Sequence, residues 1–228
     1  IYDINDLVDQ FGFGIKKHPS AIRDFIMYAN QQFSVAPKYV FIIGRGISYI
    51  DYNANQGNAA AEKLDLVQTF GWPASDVLLS CAPGTNVPLI PIGRLGAISG
   101  TEVGYYLDKM KQYEQVQKSP GQTIAEKGWM KNILHTIGGS DSTENADFSI
   151  YMNGYKNIAK DTLFGGNVLT FAKSSVSAIE QEQSAKITQL FQDGLSYVKY
   201  FGHSSANELA INLNYPESYQ NDGKYPFM

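Results

Sequence analysis

The 228 residues carry a net charge of −4, with 43% hydrophobic and 18% charged side chains, the balance of a globular chain long enough to bury its own core without a metal or disulfide staple. No Lys/Arg cluster supplies the basic stripe that phosphate binding needs, and no run approaches the ~20 apolar residues of a membrane helix, so nucleic acid is not an expected partner and no membrane span is expected. The single cysteine, Cys81, cannot form an internal disulfide.

Apolar runs alternate with helical patterns, which predicts an α/β layered sheet. The first predicted helix starts near Ser20 behind Pro19, with Ile22, Phe25, Ile26, Ala29 and Phe33 at helical spacing. Tyr39 to Ile43 is a continuous apolar run ended by Gly44, the pattern of a central strand covered on both faces. A polar loop is predicted over Ile50 to Gly57, then a helix over Asn58 to Phe70 with Leu64, Val67 and Phe70 inward. Val77-Leu78-Leu79 and Leu89-Ile90-Pro91-Ile92 are short strand candidates, the second placed at an edge by its prolines. Ser99 and Glu102 form a capping box opening a helix with Val103, Tyr106, Leu107, Met110 and Tyr113 on one face.

Ser119-Pro120-Gly121 is the best internal break, dividing the chain into residues 1–118 and 119–228. Beyond it, Trp129 to Ile137 reads as a strand ending at Gly138-Gly139, with a polar loop from Ser140 to Asn145 and a helix from Ala146 to Ala159. Val168 to Phe171 is a strand. Ser177 and Glu180 open a helix carrying Ile187, Leu190 and Phe191, capped by Gly194. Leu195 to Phe201 is the last full strand. It runs into Gly202-His203-Ser204-Ser205.

That tetrapeptide is the sharpest chemical feature, because functional groups of open α/β sheets gather at the carboxyl ends of strands. A histidine there has the proton affinity for general acid–base work. Asp141, Glu144 and Asp147 are acidic candidates for orienting His203 or lining a pocket. His135 reads as a packed, satisfied core residue and His18 as a surface one; the three histidines show no zinc spacing. Cys81 reads as a small buried hydrophobe, since nothing local would hold a thiolate. Gly44-Arg45-Gly46 departs from a dinucleotide fingerprint at Tyr49, where the third glycine belongs.

In order, Tyr39-Val40-Phe41-Ile42-Ile43-Gly44, Ser75-Asp76-Val77, Pro91-Ile92-Gly93-Arg94-Leu95 and a helix ending in Lys111-Gln112-Tyr113-Glu114 resemble the first subdomain of gingipain-type cysteine peptidases. Trp129, the strand to Gly138-Gly139, and Tyr197 to Ser205 resemble the second. Ile1-Tyr2-Asp3-Ile4 and the Phe13 to Asp24 segment are similar to the versions in type IX secretion C-terminal signal peptidases.

The resemblance implies a caspase-like α/β fold: a mostly parallel sheet flanked by helices, in two subdomains, acting on polypeptide. It implies that His203 is the catalytic histidine, with Gly202 and Ser204 positioning it or donating to an oxyanion, and Ser205 and Asp147 near the substrate pocket. The nucleophilic cysteine of the family follows at the end of the next strand. Both ends of the chain look cut from something longer, and Tyr225-Pro226-Phe227-Met228 looks like the start of that strand, so the chain is expected to stop before the nucleophile and to be inactive alone. Two departures stand out: Ser204 replaces the second glycine of a Gly-His-Gly pattern, and Ile137 stands where gingipains carry the acidic residue that supports the histidine. By resemblance the full protein is exported, removes secretion signals or transfers peptides, and meets secretion-system proteins. No cofactor is expected; calcium is common in the family but no ligands are assigned here. The competing expectation is a non-catalytic caspase-like module serving protein contacts.

Overall fold

The computed structural model describes residues 1–72, 74–119, 123–174, 177–204, 209–211 and 213–228. The chain forms two compact units, Ile1–Tyr106 and Leu107–Met228. It is a mixed α/β protein whose parallel strands lie in two sheets flanked by helices, the arrangement of a caspase-like peptidase fold.

The first unit opens with α1 (Ile4–Phe11), capped by the Asp3 carboxylate on the Asn5 N–H and burying Leu7 and Val8 against Ala21. This two-turn helix is too short to announce itself by periodicity. The predicted helix at Ser20 is α2 (Ser20–Gln32), which buries Ala21, Ile22, Ile26 and Ala29. Its Phe25 and the nearby Phe33 join Tyr2 and the Phe11 and Tyr28 rings in an aromatic cluster instead. Strand β1 (Val40–Ile43) pairs in parallel with β2 (Ile92–Leu95). Among the described residues these two form the whole sheet, so the expectation of a central strand covered on both faces is corrected. Ile42 packs with Ile22, Ile26, Leu79 and Ile90, whereas Phe41 and Ile43 on the other face are each 52% exposed.

The connection between these strands differs from the expectation in detail. The supposed loop over Ile50 to Gly57 contains α3 (Tyr49–Ala54), started by the Ser48 hydroxyl accepting from the Asp51 N–H. The next helix, α4 (Ala59–Leu64), ends at Asp65 and does not continue to Phe70. Asp65 is fully buried and turns inward to accept from the Ile47 N–H, which stops the helix. Val77 to Leu79 lie in a 3-10 turn (Asp76–Ser80), not a strand. The second strand candidate lies three residues later than expected, from Ile92, beyond the last of its prolines.

Arg94 on β2 explains much of this arrangement. Its guanidinium grips the Asp76 carboxylate with two bonds of 2.7 Å and donates to the carbonyls of Gly44 and Val67 at 2.6 Å and of Gln68 at 3.1 Å. One planar fork with five donors thereby satisfies two irregular backbone segments and a carboxylate at once. Helix α5 (Gly100–Lys118) follows. Ser99 accepts from the Glu102 N–H as foreseen, and Glu102 reaches back to the Ile98 N–H. Val103, Tyr106, Met110 and Tyr113 of its expected inner face are half-buried, while Leu107 is exposed. Pro120 and Gly121 of the expected break lie outside the described residues.

In the second unit, β3 (Asn132–Gly138) is flanked by β4 (Asn167–Ala172) and β5 (Tyr197–Gly202), all parallel, in the order β4-β3-β5. Trp129 precedes β3 in a 3-10 turn and is buried, so the strand starts later than the apolar run. Residues Ile133 to Gly138 are all buried, His135 and Thr136 included, as in a central parallel strand covered on both faces. Helix α6 (Ser142–Ala159) starts four residues earlier than expected, because Asp141 caps it. Helix α7 (Ser177–Asp193) supplies Ile187 and Phe191 to a core with Leu134, Leu195, Val198 and Ile211; the Ser177 side chain lies outside what is described. Gly194 ends α7 at φ +106°, its N–H on the Leu190 carbonyl at 3.1 Å. Phe227 then forms a parallel bridge with Tyr197 on the outer edge of β5, bonded through the Val198 N–H and the Ser196 carbonyl.

Candidate active site

The site is built where β3 and β5 end side by side. Gly138 pairs with Gly202, and the His203 N–H donates to the Gly138 carbonyl at 2.8 Å. Gly202 is required here by close approach: a Cβ on it would come within 2.5 Å of the Gly138 Cα and carbonyl oxygen. The Tyr200 hydroxyl donates to the His203 carbonyl and accepts from the Ala210 N–H at 3.2 Å, and that same N–H donates to the His203 carbonyl at 3.0 Å. His203 is therefore held at its amide by one strand end and at its carbonyl by a tyrosine and the returning chain. Ser204 bridges to Leu209 in antiparallel fashion.

The imidazole is 55% exposed, and its Nε2 lies 2.8 Å from Oε1 of Glu144, itself 31% exposed. Glu144 comes from the first turn of α6. Its own N–H donates to the Asp141 carboxylate at 2.9 Å, and its Oε2 accepts from the Ser140 N–H at 2.6 Å. This is a capping arrangement in which the glutamate that closes the helix N-terminus also presents its free oxygen to the histidine. The Ser140 N–H, then the bond to His203, holds the Glu144 carboxyl below the usual glutamate range. Asn145, the next residue, accepts from the Gly139 N–H at 2.8 Å, which fastens the glycine pair to the helix start.

Of the acidic candidates, Glu144 thus meets His203, Asp141 caps α6, and Asp147 lies exposed one turn along. Ile137 is 1% exposed and packed inside β3. The absence of an acidic side chain at that position does not leave the histidine unsupported, because the carboxylate arrives from seven residues later. Ser205 lies outside the described residues.

Phe148 continues the same face of α6. Its ring centroid is 6.0 Å from that of His203 and 4.5 Å from that of Phe201, and Tyr151 stands edge-on to Phe201 at 5.9 Å. No pattern in the sequence singled out these rings, because they belong to two elements that meet only in the folded unit.

The other candidates lie elsewhere. His135 is buried in β3, but its Nδ1 has no hydrogen-bond partner among the described residues, which corrects the expectation of a satisfied core histidine. Burial, then the nearby Lys199 and Lys156 ammonium groups, pushes its pKa down, so it packs as a neutral ring. His18 is half-buried, not a free surface residue, and its Nδ1 sits 2.7 Å from the Ser20 hydroxyl at the start of α2. Cys81 is buried at 2% exposure with its sulfur 3.2 Å from the Val77 carbonyl. Among the described residues no three His, Cys, Asp or Glu side chains are grouped to hold a metal ion, and no residue is assigned to calcium. No described helix is long and apolar enough to cross a membrane.

Compared with known proteins, the chain is matched over residues 1–228 by the family model for peptidase family C25. No curated protein and no solved structure matches it.

Proposed function

Because this chain belongs to peptidase family C25, a family of cysteine peptidases, we propose that His203 is its catalytic histidine and that Glu144 orients it. The observation that carries this reading is the 2.8 Å contact between Nε2 and the Glu144 carboxylate at the carboxyl end of β5. A carboxylate on Nε2 favours the tautomer with the proton there, which leaves the Nδ1 lone pair to work on substrate. In this reading a cysteine thiolate attacks the scissile carbonyl carbon and the carbonyl electrons move to oxygen. The C–N bond then breaks, with the protonated imidazole giving its Nδ1 proton to the leaving amine. Water, deprotonated at the same nitrogen, releases the acyl group from sulfur. The Ser204 N–H is the proposed oxyanion donor on this chain.

Cys81 does not suit the nucleophile's part, being buried with its sulfur against a carbonyl oxygen. We place the nucleophile on sequence following Met228. Phe227 runs parallel to β5 from the level of Tyr197, so a strand continuing in that register draws level with Gly202 after about five more residues. Removal of secretion signals from exported proteins, with or without transfer to an acceptor amine, is the finer activity we propose, supported by the Ile1 to Ile4 and Phe13 to Asp24 segments. The test is peptide cleavage by protein carrying the sequence beyond Met228. His203→Ala is expected to abolish turnover and Cys81→Ser to leave it intact. Full activity in His203→Ala, or loss of activity with covalent labelling at Cys81, would overturn the assignment.

A further inference from the structure

The reading of His203 as the catalytic group leaves open which substrate side chain lies beside it. The rings of Tyr151, Phe201 and Phe148 run in an unbroken line to the imidazole, with successive centroid separations of 5.9, 4.5 and 6.0 Å. The line is open to solvent: Tyr151 is 62% and Phe201 38% exposed. Contiguous exposed aromatics against a catalytic group are a contact surface, since exposing them otherwise has a cost and no packing return. Tyr151 and Phe201 present edge and face to each other at 90°.

The charges around the shelf point the same way. Lys199 is two residues before Phe201 on β5, so its side chain leaves the same face of the sheet about 7 Å away. Its ammonium sits over the Tyr155 ring at 3.1 Å from the centroid, on the α6 turn next to Tyr151. A basic substrate side chain on the shelf would meet that cation, while the Glu144 carboxylate is already engaged by His203 and the Ser140 N–H. Asp147 at the exposed rim is the one described acidic group on this turn of α6 that would favour a basic side chain.

We infer that the Phe148–Tyr151–Phe201 shelf receives an aromatic or large apolar side chain of the polypeptide substrate, adjacent to the bond that His203 serves, and that it disfavours a basic one. This rests on the peptidase reading above. The test is a titration of isotope-labelled protein with N-acetyl-phenylalaninamide and with N-acetyl-argininamide, followed by NMR at His203, Tyr151 and Phe201. The phenylalanine compound is expected to shift all three and to bind about fivefold tighter than the arginine compound, the scale of one aromatic contact. Tyr151→Ser, at an exposed position, is expected to keep the melting temperature and to weaken that binding about threefold or more. Equal or tighter binding of the arginine compound, shifts that miss His203, or an unaltered affinity in Tyr151→Ser would overturn the inference. Binding does not need turnover, so the two readings fail separately. Phenylalanine selectivity in a protein whose His203→Ala variant still cleaves peptides would sink the histidine assignment and leave the shelf's preference standing.

Discussion

Glu144 and His203 meet at 2.8 Å although 59 residues separate them, and the contact joins the N-terminus of α6 to the carboxyl end of β5. Three short-range bonds hold this stretch independently of the histidine: Glu144 N–H to Asp141, Ser140 N–H to Oε2, and Gly139 N–H to Asn145. Glu144 is thus the positioning residue of the proposed site, held by its own helix cap. Glu144→Ala is expected to lower kcat about 10–100-fold with little change in KM, the range for losing a group that orients a catalytic imidazole. Steady-state kinetics with a fixed peptide decide it; an unchanged kcat would remove Glu144 from the site.

The same contact has a signature in the resting protein. The Ser140 N–H is the largest cause of the depressed Glu144 pKa and His203 the next. Carbon-13 NMR of the Glu144 carboxyl in His203→Ala should therefore show its pKa rise, yet stay below that of an ordinary glutamate. A carboxyl that titrates identically in both proteins would mean that the two side chains do not interact in solution.

His135 makes stability fall toward acid. Its folded-state pKa is depressed by burial and by Lys199 and Lys156, so the unfolded chain takes up the proton first as pH drops below the ordinary histidine value near 6.5. Below that point stability declines, by at most about 1.4 kcal/mol per pH unit from this group, until the folded form is protonated as well. Urea unfolding at pH 7.5 and 5.5 measures the decline. In His135→Leu, which also removes the unpartnered Nδ1, the loss between those two pH values should be smaller than in the parent protein.

Arg94 and Asp76 are the structural counterpart in the first unit, with side chains only 14% and 23% exposed. Removing either partner strands the other charge. Asp76→Ala is expected to destabilise by about 3 kcal/mol, and Arg94→Lys to lose nearly as much, because an ammonium cannot reproduce the bidentate grip and the bonds to Gly44, Val67 and Gln68. Chemical denaturation of both variants checks this, and a loss under about 0.5 kcal/mol would place the pair with ordinary surface ion pairs.

Gly202→Ala tests the strand junction. The new methyl would press on the Gly138 backbone, which has no side chain to move aside, so a cost of about 1–3 kcal/mol is expected together with displacement of His203. Loss of the NMR contact between His203 and Glu144 in the folded variant is the readout.

The sequence alone determined the parts whose signal is local. Apolar-rich segments marked β3 and β5, helical spacing marked α2 and α7, and the Gly202-His203 step after a strand marked the catalytic candidate. Local signals failed where a single long-range contact overrode them. The buried Asp65 ended α4 early, and β1, whose run reads as a central strand, pairs among the described residues with β2 alone, because periodicity does not report how many neighbours a strand will find. The acidic partner shows the same limit. Its expected place beside Gly138 is filled by Ile137, which points into the core, and only the docking of α6 against the β3–β5 junction brings Glu144 to the imidazole. A hydrogen bond needs its atoms within about 3 Å. Spacing along the chain meets that condition within a helix cap, and between two elements only the fold can meet it.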